Sequence, residues 1–106
     1  MSKRGQGPRL DKVIHERSRL MILTYLASAD NLRAAFTELR DQLGFTAGNL
    51  SIQLKNLEDA GFVRIEKSFV DNKPFTDVAL TKAGEAALQT YLDEMEQLIV
   101  ALKNRS

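Results

Sequence analysis

The sequence has no cysteine and a single histidine, His15. Disulfides, thiol redox sensing and cysteine-based metal sites are therefore excluded. A zinc site needs several nitrogen or sulfur ligands close together, so neither a metal nor any other cofactor is expected. The lack of cysteine fits a cytoplasmic location. No apolar run approaches the length of a membrane span, and "MSKRGQGPRL" has no apolar stretch like that of a signal peptide. A soluble, intracellular chain with no membrane partner is the expectation. Catalytic constellations are missing too. There is no histidine–nucleophile pair and no glycine-rich phosphate loop, since "TKAGEAALQ" lacks the required glycine spacing. An enzyme is not expected.

What is present fits one small globular domain. The chain has 106 residues, 43% of them hydrophobic and 27% charged, a balance that separates it from disordered chains. Net charge is only +1, but its distribution is uneven. Residues 1–19 carry six cations (Lys3, Arg4, Arg9, Lys12, Arg17, Arg19) against two anions, whereas residues 81–106 carry three against four. Residues 1–8 read as a flexible basic tail and 9–106 as a single domain.

Leu10, Val13 and Ile14 begin a helical pattern that continues through "LMILTYLA" to about Ala27. That helix is apolar on most sides, so it is covered on more than one face. "SADNLR" breaks it, and "LRAAF" (32–36) is either a short strand or the approach to a helix. Thr37 is expected to cap a two-turn helix that Gly44 ends. Thr46 caps the next helix, which buries Leu50, Leu54 and Leu57 and stops at Gly61. Two short helices joined by Gly44-Phe45-Thr46 make a helix-turn-helix over 37–60. "FVRIEKSFV" and "FTDVALT" then form a hairpin over 62–80, with Val63, Ile65 and Phe69 sharing one face and Asp71, Asn72, Lys73 and Pro74 at the tip. Thr81 caps a last helix over 81–103. Along it Leu88, Leu92, Met95, Ile99 and Leu102 recur as a heptad seam, which Tyr91 and Leu98 widen.

The order of these pieces resembles a winged helix. "LSIQLKNLEDAGFV", then a hairpin, then "LTKAG" is similar to the MarR- and ArsR-type transcription regulators of bacteria and archaea. "GNLSIQLKNLEDAGFV" and "KPFTDVALTKAG" resemble two pieces of a short winged-helix regulator family, and "HERSRLMIL" resembles its first-helix pattern. The resemblance implies an α+β, mainly helical fold: a winged helix-turn-helix with added N- and C-terminal dimerisation helices. It implies a homodimeric regulator whose helix at 46–60 enters the major groove of double-stranded DNA, with hairpin residues near 71–74 along the phosphates or in the minor groove. Without a cysteine or histidine cluster, the metal sensing of ArsR-type proteins is not implied. A small-molecule effector of unknown identity stays open, though the chain is shorter than typical MarR-type chains and lacks their extra dimerisation helix.

Read from the residues, Thr46, Ala47, Gly48, Asn49, Ser51, Gln53, Lys55 and Asn56 form the outer face of the second short helix. Ser, Asn and Gln both donate and accept hydrogen bonds and can read base edges. Lys55 suits guanine or a phosphate, and Gly48 and Ala47 let a phosphate approach the helix start. A merely solvated polar face is the alternative; the hairpin behind it favours DNA. Ile52 is expected to pack against the preceding helix, with a thymine methyl as the other option. Lys67, Asn72 and Lys73 are the expected wing contacts. Arg19 is expected to be structural, and His15 structural or exposed. The length of the seam points to dimerisation through the first and last helices, by Leu10, Val13 and Ile14 and by Leu88, Tyr91, Leu92, Met95, Leu98, Ile99 and Leu102. Two reading helices one DNA turn apart would need a near-palindromic operator. The competing function is a winged-helix protein–protein interaction module without specific DNA binding.

Overall fold

A computed structural model describes residues 10–105, and the basic tail expected over 1–8 lies outside them. Asp11 caps a single turn, α1 (Lys12–His15), by accepting from the backbone N–H groups of Val13 (2.8 Å) and Ile14 (3.3 Å). The single helix expected to run on to Ala27 is broken at Glu16, whose backbone is extended (φ −72°, ψ 129°). The Glu16 carboxylate instead caps α2 (Arg17–Ser28) by accepting from Arg19 N at 3.1 Å. The break frees the Val13 carbonyl, which accepts from Arg19 Nε at 2.6 Å. It also lets Ile14 turn into the core.

A 3-10 turn (Asp30–Leu32) leads into a true strand, β1 (Arg33–Ala35). Pairing of Ala35 with Asp77 keeps the chain extended through residue 35, and α3 (Phe36–Leu43) starts immediately after. Thr37 therefore sits inside the first turn and is not the cap; Ala35 occupies that position without a side-chain bond. Gly44, at φ 76°, ends α3 as expected. Thr46 Oγ1 accepts from Asn49 N at 3.1 Å and opens α4 (Ala47–Asp59). Beyond it, Gly61 takes φ 83°, with Phe62 N bonding Leu57 O and Gly61 N bonding Glu58 O. These two bonds make the left-handed stop that favours glycine.

Strands β2 (Val63–Val70) and β3 (Lys73–Leu80) form the hairpin, and β1 adds to the other edge of β3. The turn is shorter than expected. Only Asp71 (φ 53°) and Asn72 (φ 64°) lie outside the ladder, and Val70 pairs with Lys73. Two positive φ angles give the hairpin turn whose twist matches the strands, and Asp and Asn tolerate that conformation. Lys73 and Pro74 belong to β3. Pro74 stands opposite Phe69, one pair beyond the closing pair, where the backbone N–H points away from the partner strand.

The core is built from Ile14, Ile22, Leu23, Leu26, Leu39, the α4 leucines 50, 54 and 57, Val63 and Val78, with Leu88 and Tyr91 from α5 (Lys82–Lys103). The helices cover only the base of the sheet. Phe69 shares a face with Val63 and Ile65, as expected, but is 75% exposed because the hairpin runs out beyond that cover. Thr81 joins α4, β3 and α5: its Oγ1 donates to Gly61 O at 2.6 Å and accepts from Gly84 N at 2.9 Å. Gly84 is buried here, and a Cβ on it would lie 2.1 Å from Phe62 O. A glycine that looks like a weak point of helix propensity is thus what lets α5 approach the 61–62 backbone.

Gly84→Ala is expected to destabilise the domain by about 1–3 kcal/mol, the usual scale for overpacking. A urea unfolding midpoint equal to that of the wild type would show that the α5 start relaxes away freely.

Candidate nucleic-acid interface

Because Leu50, Leu54 and Leu57 are buried, the rest of α4 turns outward. Thr46, Ala47, Gly48, Asn49, Ser51, Lys55 and Asn56 are all exposed, and Gln53 is half-buried. No acidic residue stands in the first turn, so the positive helix end is not neutralised from within. Ile52 departs from expectation. It is 61% exposed and is not among the side chains packed on the core.

Gln53 owes its partial burial to a polar chain. Arg19 on α2 donates from Nη1 to Gln53 Oε1 at 3.0 Å, and Gln53 Nε2 donates to Asn49 Oδ1 at 3.2 Å. With its Nε on the Val13 carbonyl, Arg19 ties the break in the first helix to the outer face of α4. Arg19 is thus structural, and it orients two of the expected base-reading residues. Lys55 pairs with Asp59 at 2.9 Å on the same helix, both well exposed. Asp59 holds the Lys55 ammonium charged beyond its ordinary range. An exposed pair of this kind is weak and screened by salt, so Lys55 is readily released to another anion.

The hairpin is neutral by formal count, yet its charges are segregated. Arg33 on β1 donates from Nε to Asp77 at 2.6 Å and from Nη2 to Glu66, and Arg64 donates to Glu66 at 2.7 Å. Arg64, Glu66 and Asp77 lie on one face of the sheet together with Arg33. Lys67 lies on the other face. Neither Lys67 nor Lys73 has an ion-pair partner among the described residues, and Lys67, Lys73 and Asn72 are exposed. The Arg64 hydrogen bond above all, with Arg33 adding to it, holds the Glu66 carboxyl below its usual range. The part played by Arg33 was missed from sequence. Its two carboxylates are 33 and 44 residues away, and only strand register brings them together.

Between α4 and the sheet runs an open cleft of about 660 Å³, lined by Ser51, Lys55 and Glu58 from α4 and by Ile65, Lys67 and Thr76 from the hairpin. The helix face and the lysine-bearing hairpin face therefore form one continuous surface. Among the expected dimerisation residues, Ile14, Leu88 and Tyr91 are buried within the single chain and have no free area for a partner; Tyr91 OH instead lies 2.8 Å from His15 Nδ1. Leu10, Val13, Met95 and Leu98 are half-buried, while Leu92, Ile99 and Leu102 are 42–56% exposed, as is Val100, which was not anticipated. Among the described residues no cluster of histidine or acidic side chains is placed to hold a metal ion. No described helix is long and apolar enough to cross a membrane.

A short helix pair at a tight corner, a second helix with a polar outer face, and a three-stranded sheet ending in a two-stranded projection define a winged helix-turn-helix. A family model described as a winged helix DNA-binding domain matches residues 18–99, and the chain belongs to that family. It is 33% identical over 87 residues to an uncharacterized protein of Methanocaldococcus jannaschii, covering 82% of this chain and 92% of the relative. A transcriptional regulator homologue from Pyrococcus horikoshii has the same fold, with a TM-score of 0.77 at 27% identity over 85% of this chain and 87% of that one. A MarR family transcriptional regulator from Streptomyces coelicolor, solved in complex with DNA, aligns with a TM-score of 0.69 at 24% identity over 91% of this chain and 63% of that one. At that identity the likeness carries the fold.

Glu66→Gln tests the network at the hairpin base. A carboxylate whose folded-state pKa is depressed adds stability that is present above its unfolded pKa and is lost as pH falls through the folded value. The wild type is expected to lose stability more steeply than Glu66→Gln below about pH 4. Parallel thermal-melt profiles for the two proteins across that range would rule the linkage out.

Proposed function

We propose that this protein is a transcriptional regulator that binds duplex DNA sequence-specifically as a homodimer. One observation carries the reading. The leucine stripe of α4 is buried while Asn49, Ser51, Lys55 and Asn56 stay exposed beside an acid-free helix start, on a surface shared with Lys67. Asn49 and Ser51 carry paired donors and acceptors that suit adenine and mixed base edges in a major groove. Gly48 and Ala47 present little bulk where backbone N–H groups favour a phosphate. Lys55, Lys67 and Lys73 supply the phosphate contacts that position such a helix, with Asn72 at the turn.

The dimer reading rests on α5. Its first half is consumed by the core, and its second half carries Leu92, Ile99, Val100 and Leu102 into solvent. An apolar stripe on a long helix is covered most simply by the same stripe of a second copy related by a two-fold axis. Two α4 helices so related would meet half-sites about 34 Å apart, on a near-palindromic operator.

A protein-interaction module is the second reading, and the exposed Ile52 is what favours it. Binding to random-sequence duplex across a salt series separates the two. Steep loss of affinity with salt marks phosphate contacts, while no binding at low salt supports the interaction module.

Operator selection from random DNA supplies the specific site. On that site, Asn49→Ala combined with Ser51→Ala is expected to weaken binding at least tenfold, since a good base-edge contact is worth about 1–3 kcal/mol. Its melting temperature should not change. Unaltered affinity in this variant and in Lys55→Glu would remove α4 as the reading element. Leu92→Glu with Ile99→Glu is expected to give a folded monomer by light scattering; a persisting dimer places the interface elsewhere.

A further inference from the structure

The outer half of the hairpin carries more apolar surface than a solvated turn requires. Phe69 is 75% exposed, and Pro74 stands directly opposite it in the ladder. Side chains alternate between faces along a strand. Phe69 therefore shares a face with Val63, Ile65 and Lys67, and Pro74 with Thr76, Val78 and Leu80. This is the face that turns toward α4, because Ile65, Lys67 and Thr76 line the cleft with Ser51 and Lys55. No acidic residue of either strand lies on it. Glu66 and Asp77 stand on the opposite face, where both pair with Arg33. Phe69 and Pro74 thus extend the same surface outward, beyond Lys67, as an uncharged ridge. A turn of only two residues holds the ridge at the end of a tight hairpin.

We propose that Phe69, backed by Pro74, is an apolar wedge that enters the minor groove of duplex DNA and opens a base step, so that the protein bends its operator. The inference rests on the DNA-binding reading above and goes beyond it to a residue that reads deformability. Phe and Pro are side chains that unstack base steps when pressed into a minor groove, kinking the duplex away from the protein. Flexible pyrimidine–purine steps yield most easily, so the wedge adds specificity without a hydrogen bond to any base. Charge complementarity selects the occupant. Lys67 lies on the same face as the ring, while the acids of both strands lie on the other face, together with Lys73. A polyanion needs that segregation; a partner protein or a second copy of this chain does not.

The test uses the selected operator with 2-aminopurine placed at successive steps, and the same duplex end-labelled to report its bend. The wild type is expected to brighten one step in each half-site and to bend the duplex by about 20–90°. Phe69→Ala is expected to lose both signals and to bind about ten- to a hundredfold more weakly, on the scale of aromatic–base stacking. Its salt dependence should be unchanged. Phe69→Leu should retain part of the bend, and Lys73→Ala should keep the bend while its salt slope falls by about one. Phe69 is exposed, so the alanine variant is expected to melt with the wild type. A wild type that binds DNA but leaves it straight and stacked overturns the wedge, as does a Phe69→Ala variant with the wild-type bend; either leaves the DNA-binding reading standing. Self-association that Phe69→Ala relieves, on an unbent duplex, overturns it as well. A wild type that binds no duplex at low salt overturns both proposals.

Discussion

Leu50, Leu54 and Leu57 lie on one side of α4 and are buried against α2 and the base of the hairpin. Burial of a leucine side chain is worth about 1.5–3 kcal/mol, so three of them are a large share of what holds a domain this small together. A helix anchored by three such contacts has no freedom to rotate about its axis. The outward set follows from that: Asn49, Ser51, Lys55 and Asn56 face solvent because the leucines cannot. Arg19 reinforces the choice from the side, reaching across from α2 to hold Gln53, and through it Asn49.

The same economy appears where the hairpin joins the helices. Gly61, Phe62, Thr81 and Gly84 form a small knot of backbone contacts in which Thr81 N bonds Phe62 O and the Thr81 hydroxyl bridges Gly61 and Gly84. It sets the direction in which β2 leaves α4 and the angle at which α5 departs. Arg33 does the corresponding work on the far edge of the sheet. Strand alternation puts Glu66 and Asp77 on one face, where Arg33 pairs with both, and no acid of either strand lies on the face next to α4. The ion pairs of the sheet are thus gathered on one face, although the hairpin is neutral overall.

Much of this was legible in the chain. Thr46, Gly44 and Gly61, and Thr81 in its cap of Gly84, act through bonds to residues a few positions away, and such local chemistry shows in sequence. The strand alternation and the α5 seam are equally local patterns. Expectations failed where a distant contact overrode a local preference. Thr37 is a good cap by propensity, but the pairing of Ala35 with Asp77 starts the helix two residues earlier. The first helix reads as continuous, yet it breaks at Glu16 so that Ile14 and Arg19 can meet partners elsewhere in the fold. Ile52, expected to pack on the preceding helix, is exposed, and Phe69 shares its face with Val63 and Ile65 but lies in the open, because periodicity tells which face a residue occupies and not how far the covering layer extends.

From the residues alone came the helix-turn-helix and hairpin in their order, the caps at Thr46 and Thr81, the stops at Gly44 and Gly61, the absence of cysteine chemistry, and the inward stripe of α4. These depend on interactions within a turn or two of the chain, which a linear sequence encodes directly. Only the folded arrangement decided that the hairpin's charges divide between two faces, that Ile14, Leu88 and Tyr91 are spent on the core of one chain, and that Phe69 stands clear beside Lys67. Each of those outcomes depends on residues tens of positions apart being brought into register, and no local pattern carries that distance.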